Sequence, residues 1–201
     1  MTKWLAMLAV ATVAQAAGPP APDYFPLHER DVWRYRSTNA KGAVSEFVVT
    51  VVSAQKEKDG SPSFQTQTLV EGKRILDWYA KPKGWVVHLS QFPMGASGPT
   101  EFKPPKRALK NPPRVGDKWS WKGTGAGGLA IEMEAEVLGE TDVAVPAGRF
   151  HAFRVVTHTK QGGSNVDRVQ WYAAGVGMVR AEAETDGRTT ATELMEYHVG
   201  Q

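Results

Sequence analysis

The chain repeats itself, and this repetition restricts its fold more than any other feature of the sequence. Residues 78–86 read WYAKPKGWV and residues 171–179 read WYAAGVGMV, so tryptophan, tyrosine, alanine, glycine and valine recur at one spacing. A second motif, aspartate-x-tryptophan-x-aromatic, stands at residues 31–35 and again at 117–121. The motifs keep their order in both halves, which predicts an internal duplication of one structural unit.

The local pattern favours β-strands almost throughout. From Leu129 to Val137 large or apolar residues alternate with Ala130 and three glutamates, and such alternation is typical of a strand with one apolar face. Pairs such as Asp59-Gly60 and Gly162-Gly163 interrupt the pattern with turn-forming residues. Further segments with strand character are 46–52, 63–70, 75–80, 85–90, 150–159, 166–173, 178–185 and 189–199.

Consecutive strands joined by short turns pair antiparallel. We therefore expect an all-β (mainly β) protein, a large antiparallel meander of about 10–12 strands, and sheets of that size usually curl or close. The predicted architecture is a half-barrel or barrel built from two duplicated halves. Residues 24–201 would form this single β domain, with repeats 24–98 and 112–201 joined by a basic, proline-rich linker, 99–111.

The linker and the residues just after it carry a cluster of positive charges, and two interpretations remain open. It could be a solvated connection, or its basic residues could contact anionic lipid head groups. The formal net charge of the chain is only +3, which does not favour nucleic-acid binding. The clustered residues are Lys103, Lys106, Arg107, Lys110 and Arg114.

The N-terminal residues have the pattern of a secretory signal peptide. Lys3 precedes an apolar run over residues 4–13, and Ala14-Gln15-Ala16 is a cleavage pattern. We expect a signal peptide over 1–16 and a proline-rich leader over 17–23. The chain has no cysteine, hence no lipobox cysteine, so the expected location is periplasmic or secreted, with no transmembrane segment after cleavage.

The sequence offers little that favours catalysis. It has neither a G-x-S-x-G nor an H-E-x-x-H motif, and no cysteine nucleophile. His151 and His158 would face opposite sides of one strand. We interpret Glu132, Glu134 and Glu136 as the solvent-exposed face of a strand rather than as a row of calcium ligands. We therefore expect no enzymatic activity, no cofactor and no metal.

The repeated aromatic residues are the main candidates for binding. Trp33 and Tyr35 are two positions apart and share one face of a strand, as do Trp119 and Trp121. They either fill a closed core or line a concave face that holds an apolar ligand, with methionines as adaptable packing. The candidate ligand-binding residues are Trp33, Tyr35, Trp78, Trp119, Trp121, Met133, Trp171 and Met178.

Three motifs resemble a group of bacterial envelope proteins: residues 24–27 (YFPL) followed by W-x-Y, residues 145–150 (VPAGRF) and residues 171–179. The group contains exported proteins and lipoproteins, mostly of unknown function, some of them named TapB-like. Its general plan is similar to that of the lipoprotein-localisation proteins LolA and LolB, whose half-barrels hold acyl chains. Residues 29–31 read Glu-Arg-Asp where the group has Val-Gly-Asp, whereas residues 115–117 keep that motif. The resemblance implies no catalytic residues.

Together these patterns predict a non-catalytic exported envelope protein that binds a hydrophobic or lipidic ligand on a concave apolar sheet face. The alternative is a structural or protein-interaction module of the envelope without a small ligand, docking a partner protein through exposed strand edges. The expected partners are accordingly a lipid or apolar ligand, or an envelope protein, and no nucleic acid. A void beside the paired aromatic residues would favour ligand binding, and a filled core would favour the alternative.

Overall fold

Twelve antiparallel strands form one closed barrel in the computed structural model, which describes residues 21–56 and 60–200. Each strand neighbours the next along the chain, and β1 closes the ring against β12. The predicted all-β meander is confirmed, in its closed form. The strands are β1 (Val32–Asn39), β2 (Val44–Lys56), β3 (Pro62–Val70), β4 (Lys73–Ala80), β5 (Trp85–Phe92), β6 (Thr100–Lys110), β7 (Lys118–Thr124), β8 (Ala130–Val145), β9 (Gly148–Gln161), β10 (Ser164–Ala173), β11 (Gly177–Thr185) and β12 (Arg188–His198).

Strand bulges help to bend the sheet into a ring. Register shifts occur around Val52 in β2 and around Leu138 in β8, and again before Tyr79 in β4 and before Tyr172 in β10. A bulge increases the local twist and bends its strand, which supports closure of a large sheet. The four shifts fall at matching places in the two halves: Val52 and Leu138 are as far apart in sequence as Trp33 and Trp119.

The two aspartate-x-tryptophan motifs begin β1 and β7 with the same hydrogen bonds. The N–H of Asp31 and that of Asp117 each donate to the carbonyl three residues earlier, and each carboxylate accepts from the N–H of that same residue. The residue before each aspartate has a positive φ, 74° at Arg30 and 83° at Gly116. Glycine adopts this conformation freely, whereas arginine adopts it at a steric cost.

Residues 99–111, predicted to be a basic, proline-rich linker, instead contain strand β6. β6 pairs with β5 at six positions but with β7 at only one, Lys103 opposite Thr124. Prolines at positions 104 and 105 have no N–H to give to a ladder, and their presence argued against a strand. The ring nevertheless closes here because side chains replace the missing backbone bonds.

The β6–β7 contact, which we call the seam, is bridged by two tryptophans of β7. Trp121 Nε1 donates to the carbonyl oxygens of Pro104 and Pro105 at 3.2 and 3.1 Å, and Trp119 Nε1 donates to Arg107 O at 3.1 Å. Both indoles are buried in the core. The seam is therefore held by indole N–H groups where the rest of the ring uses the backbone.

Residues 23–27 cover one end of the barrel, and we call them the N-terminal plug. Asp23 accepts from Lys81 Nζ and from Asn111 Nδ2 (2.7 Å), while its carbonyl accepts from Gly175 N (2.7 Å). Burial raises the pKa of Asp23, but the hydrogen bonds from Lys81 and Asn111 outweigh it and leave the pKa below its ordinary value. The three partners lie in three different connections between strands, so the plug links these connections at one end of the barrel. We call this end the lower end.

The described residues contain no helix long and apolar enough to cross a membrane. Regular helical structure in this part of the chain is a short 3-10 turn, Ala126–Gly128, before β8. The predicted signal peptide, residues 1–16, and most of the predicted leader lie outside the described residues.

Candidate ligand-binding cavity

A cavity of about 460 Å³ lies inside the barrel. A ring of about eight strands is nearly filled by its own side chains, and twelve strands enclose a wider space. The lining runs from Phe25 and Leu27 of the plug to Pro93, Thr100 and Gln161 at the opposite, upper end. The volume falls within the range of roughly 300–1,000 Å³ that is typical of small-molecule sites.

The lower part of the cavity is aromatic and apolar. Trp33 Nε1 donates to Val176 O at 2.7 Å and Tyr35 Oη donates to Met178 O at 2.8 Å, so the polar atoms of both rings are satisfied by the β10–β11 connection and β11. Phe25 packs against Tyr79 with ring centroids 5.3 Å apart. With their polar atoms occupied, these rings present apolar faces to the cavity.

The tyrosines of this region are neutral. Burial raises the pKa of Tyr35, Tyr79 and Tyr172 above that of a free phenol. Arg168 acts in the opposite direction at Tyr79 and Tyr172 but does not outweigh burial. The lower cavity therefore contributes no tyrosinate charge near neutral pH.

The middle of the cavity holds a carboxylate and an imidazole. Asp77 Oδ1 accepts from Gln91 Nε2 at 2.8 Å and lies 2.8 Å from His88 Nε2, a separation close enough for an ion pair although the ring is poorly aligned for a hydrogen bond. His88 stacks on Tyr79 with centroids 4.6 Å apart, and it also bonds to the backbone of Ser90. Burial lowers the pKa of His88, so its ring is neutral at pH 7.

Two cations also face the cavity from strands β6 and β10. Lys106 Nζ lies 5.0 Å from the centre of the Phe102 ring, and Arg168 lines the same cavity. Burial, aided by the charge of Arg168, lowers the pKa of Lys106 to about 8, while Asp77 acts in the opposite direction. Within the described part of the chain, neither cation forms an ion pair with a carboxylate.

The structure brings together four of the eight residues predicted to bind a ligand. Trp33, Tyr35, Met133 and Met178 line the cavity. Trp119 and Trp121 are buried in the core and hold the seam, outside the cavity lining. The paired aromatic residues thus follow both interpretations: the pair on β1 borders a void, and the pair on β7 fills a core.

The two tryptophans of the repeated W-Y-A motif lie on the outer face. Trp78 stands between Asp77 and Tyr79, which both face the cavity, so strand alternation directs its ring outwards. Trp171 lines a shallow outer groove, where the guanidinium of Arg180 lies 5.3 Å from its ring centre. Neither ring reaches the cavity lining, because tyrosine takes the inward position of each motif.

The basic cluster of β6 is divided between the two faces of the strand. Lys106 points into the cavity, whereas the guanidinium of Arg107 lies 5.0 Å from the centre of the Trp85 ring. Lys110 Nζ donates to Asp117 Oδ1 at 2.7 Å at the lower end. The cluster is therefore not one continuous basic patch.

Sequence reasoning missed the charged residues inside the barrel. The sequence feature that could have indicated them is a strand with polar residues on both faces. In β10, Asp167 contacts His158 on the outside at 2.8 Å, while Arg168 and Gln170 line the cavity. A strand with polar residues at consecutive positions cannot have a wholly apolar inner face. The inward residues that were not predicted are Asp77, His88, Lys106, Arg168 and Gln170.

Fold and cavity together define a closed antiparallel barrel with an amphipathic interior. Two solved structures share this fold. A predicted exported protein with a YmcC-like fold from Bacteroides fragilis superposes with a TM-score of 0.57 at 17% identity, over 89% of this chain and 100% of that one. A predicted lipoprotein from Parabacteroides distasonis has a TM-score of 0.50 at 15% identity, over 90% of this chain and 100% of that one.

Sequence comparison gives a local likeness. A family model described as DUF3108-like matches residues 130–193, from β8 into β12, which is less than half of the chain. No curated protein matches the sequence. The identities with the two solved structures are low enough that those likenesses establish the fold and not the ligand.

Proposed function

We propose that this chain is a non-catalytic exported protein of the cell envelope that binds a hydrophobic or lipidic ligand inside its barrel. The observation that carries the proposal is the cavity of about 460 Å³ with an aromatic lower part. Concave sites lined by aromatic side chains and a few placed polar groups are typical of small-molecule binding. The concave apolar face expected from the sequence corresponds here to the interior of a closed ring.

The proposed location draws on two likenesses. The structures with a shared fold are described as a lipoprotein and an exported protein. The motifs at residues 24–27, 145–150 and 171–179 resemble envelope proteins, some of them TapB-like. The analogy with LolA and LolB, which hold acyl chains inside curved sheets, supports an apolar ligand at the level of general plan only.

The contacts of His88 support a binding role over a catalytic one. Its Nε2 is buried beside Asp77 at 2.8 Å, and the ring also bonds to the Ser90 backbone, so Nε2 is not exposed to a molecule in the cavity. A general base needs a nitrogen within hydrogen-bond reach of the proton that it abstracts. The position of His88 is better suited to holding the Asp77 carboxylate in one orientation in the cavity wall.

The alternative is a protein-interaction module without a small ligand. It would dock through strand edges, but each strand of the ring has neighbours on both sides and only the seam is weakly paired. The outer face does carry exposed apolar side chains, among them Val52, Leu69 and Leu138. These are scattered over different strands, which favours the cavity as the binding site.

The test combines native mass spectrometry with an apolar dye. Protein purified from its native compartment should retain a co-purifying lipid, and N-phenyl-1-naphthylamine should bind with increased fluorescence. Ala108→Phe places a ring in the cavity from β6 and should weaken dye binding about tenfold or more, because the bound molecule and the ring compete for one space. Ala130→Phe, at an exposed position of β8, is the matched control and should bind as the wild type does.

Thermal unfolding of both variants shows whether the barrel has remained folded. Absence of bound lipid together with absence of dye binding in the wild type would contradict the proposal and favour the interaction module. Equal dye binding by the two variants would place the apolar site outside the barrel and would contradict it too.

A further inference from the structure

We propose that the ligand is an anionic amphiphile whose carboxylate or phosphate head group lies between Lys106 and Arg168, an inference that rests on the proposed function above. The two side chains project into one cavity from different strands of the ring. Their charges have no carboxylate partner within the described residues. A bound anion would neutralise two positive charges that otherwise repel each other.

The two cations are near enough to influence each other. Burial lowers the pKa of Lys106 to about 8, and the charge of Arg168, which lines the same cavity, adds to that effect. Lys106 is half-buried and Arg168 is exposed, so water screens the repulsion between the two charges only in part. Placing a negative group between them removes the repulsion and provides charge-assisted hydrogen bonds to both side chains.

Among the described residues, Asp77 is the one acidic residue of the cavity lining, and it does not neutralise the two cations. Asp77 accepts from Gln91 Nε2 at 2.8 Å and lies 2.8 Å from His88 Nε2, so its carboxylate is already engaged on the β4–β5 wall. His88 is neutral at pH 7 because burial lowers its pKa. Two cations thus face one carboxylate, and the interior carries a net positive charge.

The order of inward residues along β10 points to an amphiphile rather than a free anion. Arg168, Gln170 and Tyr172 follow one another on the inner face towards the lower end, from charged to polar to aromatic. Phe25 of the plug lies 6.3 Å from the Tyr172 ring, centre to centre, and continues the apolar surface. A small inorganic anion would leave this surface empty, and a neutral lipid would leave the cations unpaired.

The experiment compares probes with one chain length and different head groups. Displacement of N-phenyl-1-naphthylamine by dodecanoate, dodecyl phosphate, dodecanol and dodecyltrimethylammonium is measured at pH 7, below micellar concentrations. Dodecanoate, dodecyl phosphate or both should bind roughly 10- to 100-fold more tightly than dodecanol, as expected for hydrogen bonds to charged groups. Dodecyltrimethylammonium should bind least tightly. Comparison of the two anions distinguishes a carboxylate from a phosphate head group.

Two variants test the assignment to these side chains. Lys106→Met and Arg168→Met remove one charge each while keeping an apolar stem, and each should reduce the anion-over-alcohol preference to a few-fold at most. Neither change buries a new polar group, so unfolding is not expected. Lys103→Met is the control, because Lys103 lies on the same strand, is exposed and pairs with Glu101. It should keep the full preference.

The outcomes separate the two proposals. Equal affinity for dodecanoate, dodecyl phosphate and dodecanol, or a preference that survives in Lys106→Met and Arg168→Met, overturns the anionic head group and leaves apolar ligand binding intact. If neither the dye nor any of the four probes binds, the proposed function itself fails.

Discussion

Lys106 combines a place inside the barrel with a charge that the barrel does not neutralise. Burial lowers its pKa to about 8, Arg168 on β10 adds to the effect, and Asp77 on β4 opposes it. His88 on β5 and Phe102 on β6 lie beside it, and neither supplies a negative charge. Below about pH 8 the folded protein therefore holds a half-buried ammonium that would be better solvated in the unfolded chain.

We predict that dodecanoate binding weakens as the pH rises from about 7 to about 9. The folded-state pKa of Lys106 lies below its ordinary value, so the charge destabilises the ligand-free fold below pH 8 and the penalty decreases as the lysine loses its proton. Ligand binding has the opposite dependence, because the anion requires the protonated lysine. Affinity measured by dye displacement at several pH values should fall above about pH 8 in the wild type.

Dodecanol binding should stay constant over that range, and dodecanoate binding to Lys106→Met should vary little. A fall of the same size in Lys106→Met would assign the titration to another group and contradict the role of Lys106.

At the scale of elements, β6 is a strand with almost no backbone ladder on one side. Its register with β7 contains the single pair Lys103–Thr124. Trp121 and Trp119 donate their indole N–H groups to carbonyls of β6 across the gap. A strand with prolines at its centre can close a ring here because the neighbouring strand supplies donors from its side chains.

We predict that Trp121→Phe weakens the seam more than the rest of the ring. The change keeps an aromatic ring but removes the donor to Pro104 and Pro105, so two partly buried carbonyls lose their partner, at a cost of about 1 kcal/mol. Trp171→Phe is the control, since that ring lies in the outer groove, and should cost about 0.5 kcal/mol or less. Urea denaturation measures both changes in the free energy of unfolding.

Amide hydrogen exchange locates the effect. Exchange in β7 should accelerate in Trp121→Phe while exchange in β1 stays close to that of the wild type. Equal destabilisation by the two substitutions, or uniform acceleration around the ring, would contradict a local role of the indole.

At the scale of the whole molecule, ring closure makes every strand depend on two neighbours. β1 pairs with β2 and with β12, so the first and last strands of the domain hold each other. The cavity is lined from both halves of the chain, with Lys106 from the first and Arg168 from the second. Neither half of the chain can therefore enclose the cavity alone.

We predict that fragments 24–111 and 112–201 do not fold as separate monomers. Each would be an arc of six strands with two unpaired edges and the inner wall exposed to water, which favours self-association. Circular dichroism and size-exclusion chromatography should show each fragment alone as unfolded or aggregated, while co-expression should restore a soluble pair with cooperative unfolding. A monomeric fragment with a cooperative transition would show that one half is an independent domain.

Strand positions could be predicted because alternation and turn residues are local signals. The segment Leu129–Val137 lies almost wholly in β8, and the predicted turn Gly162-Gly163 connects β9 to β10. β6 was missed because proline, the strongest local argument against a strand, is tolerated where indoles replace the ladder. Trp78 and Trp171 lie on the outer face because two-residue periodicity assigns a residue to a face without telling which face is inside, whereas Trp119 and Trp121 face the core outside the cavity lining.

The sequence by itself determined the all-β class, the antiparallel order of the strands and the repeated aromatic positions, since these depend on interactions between residues close in the chain. Only the tertiary structure decided that the sheet closes, that Trp33 borders a void while Trp119 fills a core, and that Lys106 and Arg168 face one cavity. These features depend on contacts between strands far apart in sequence, and local periodicity contains no information about which distant strands share an interior.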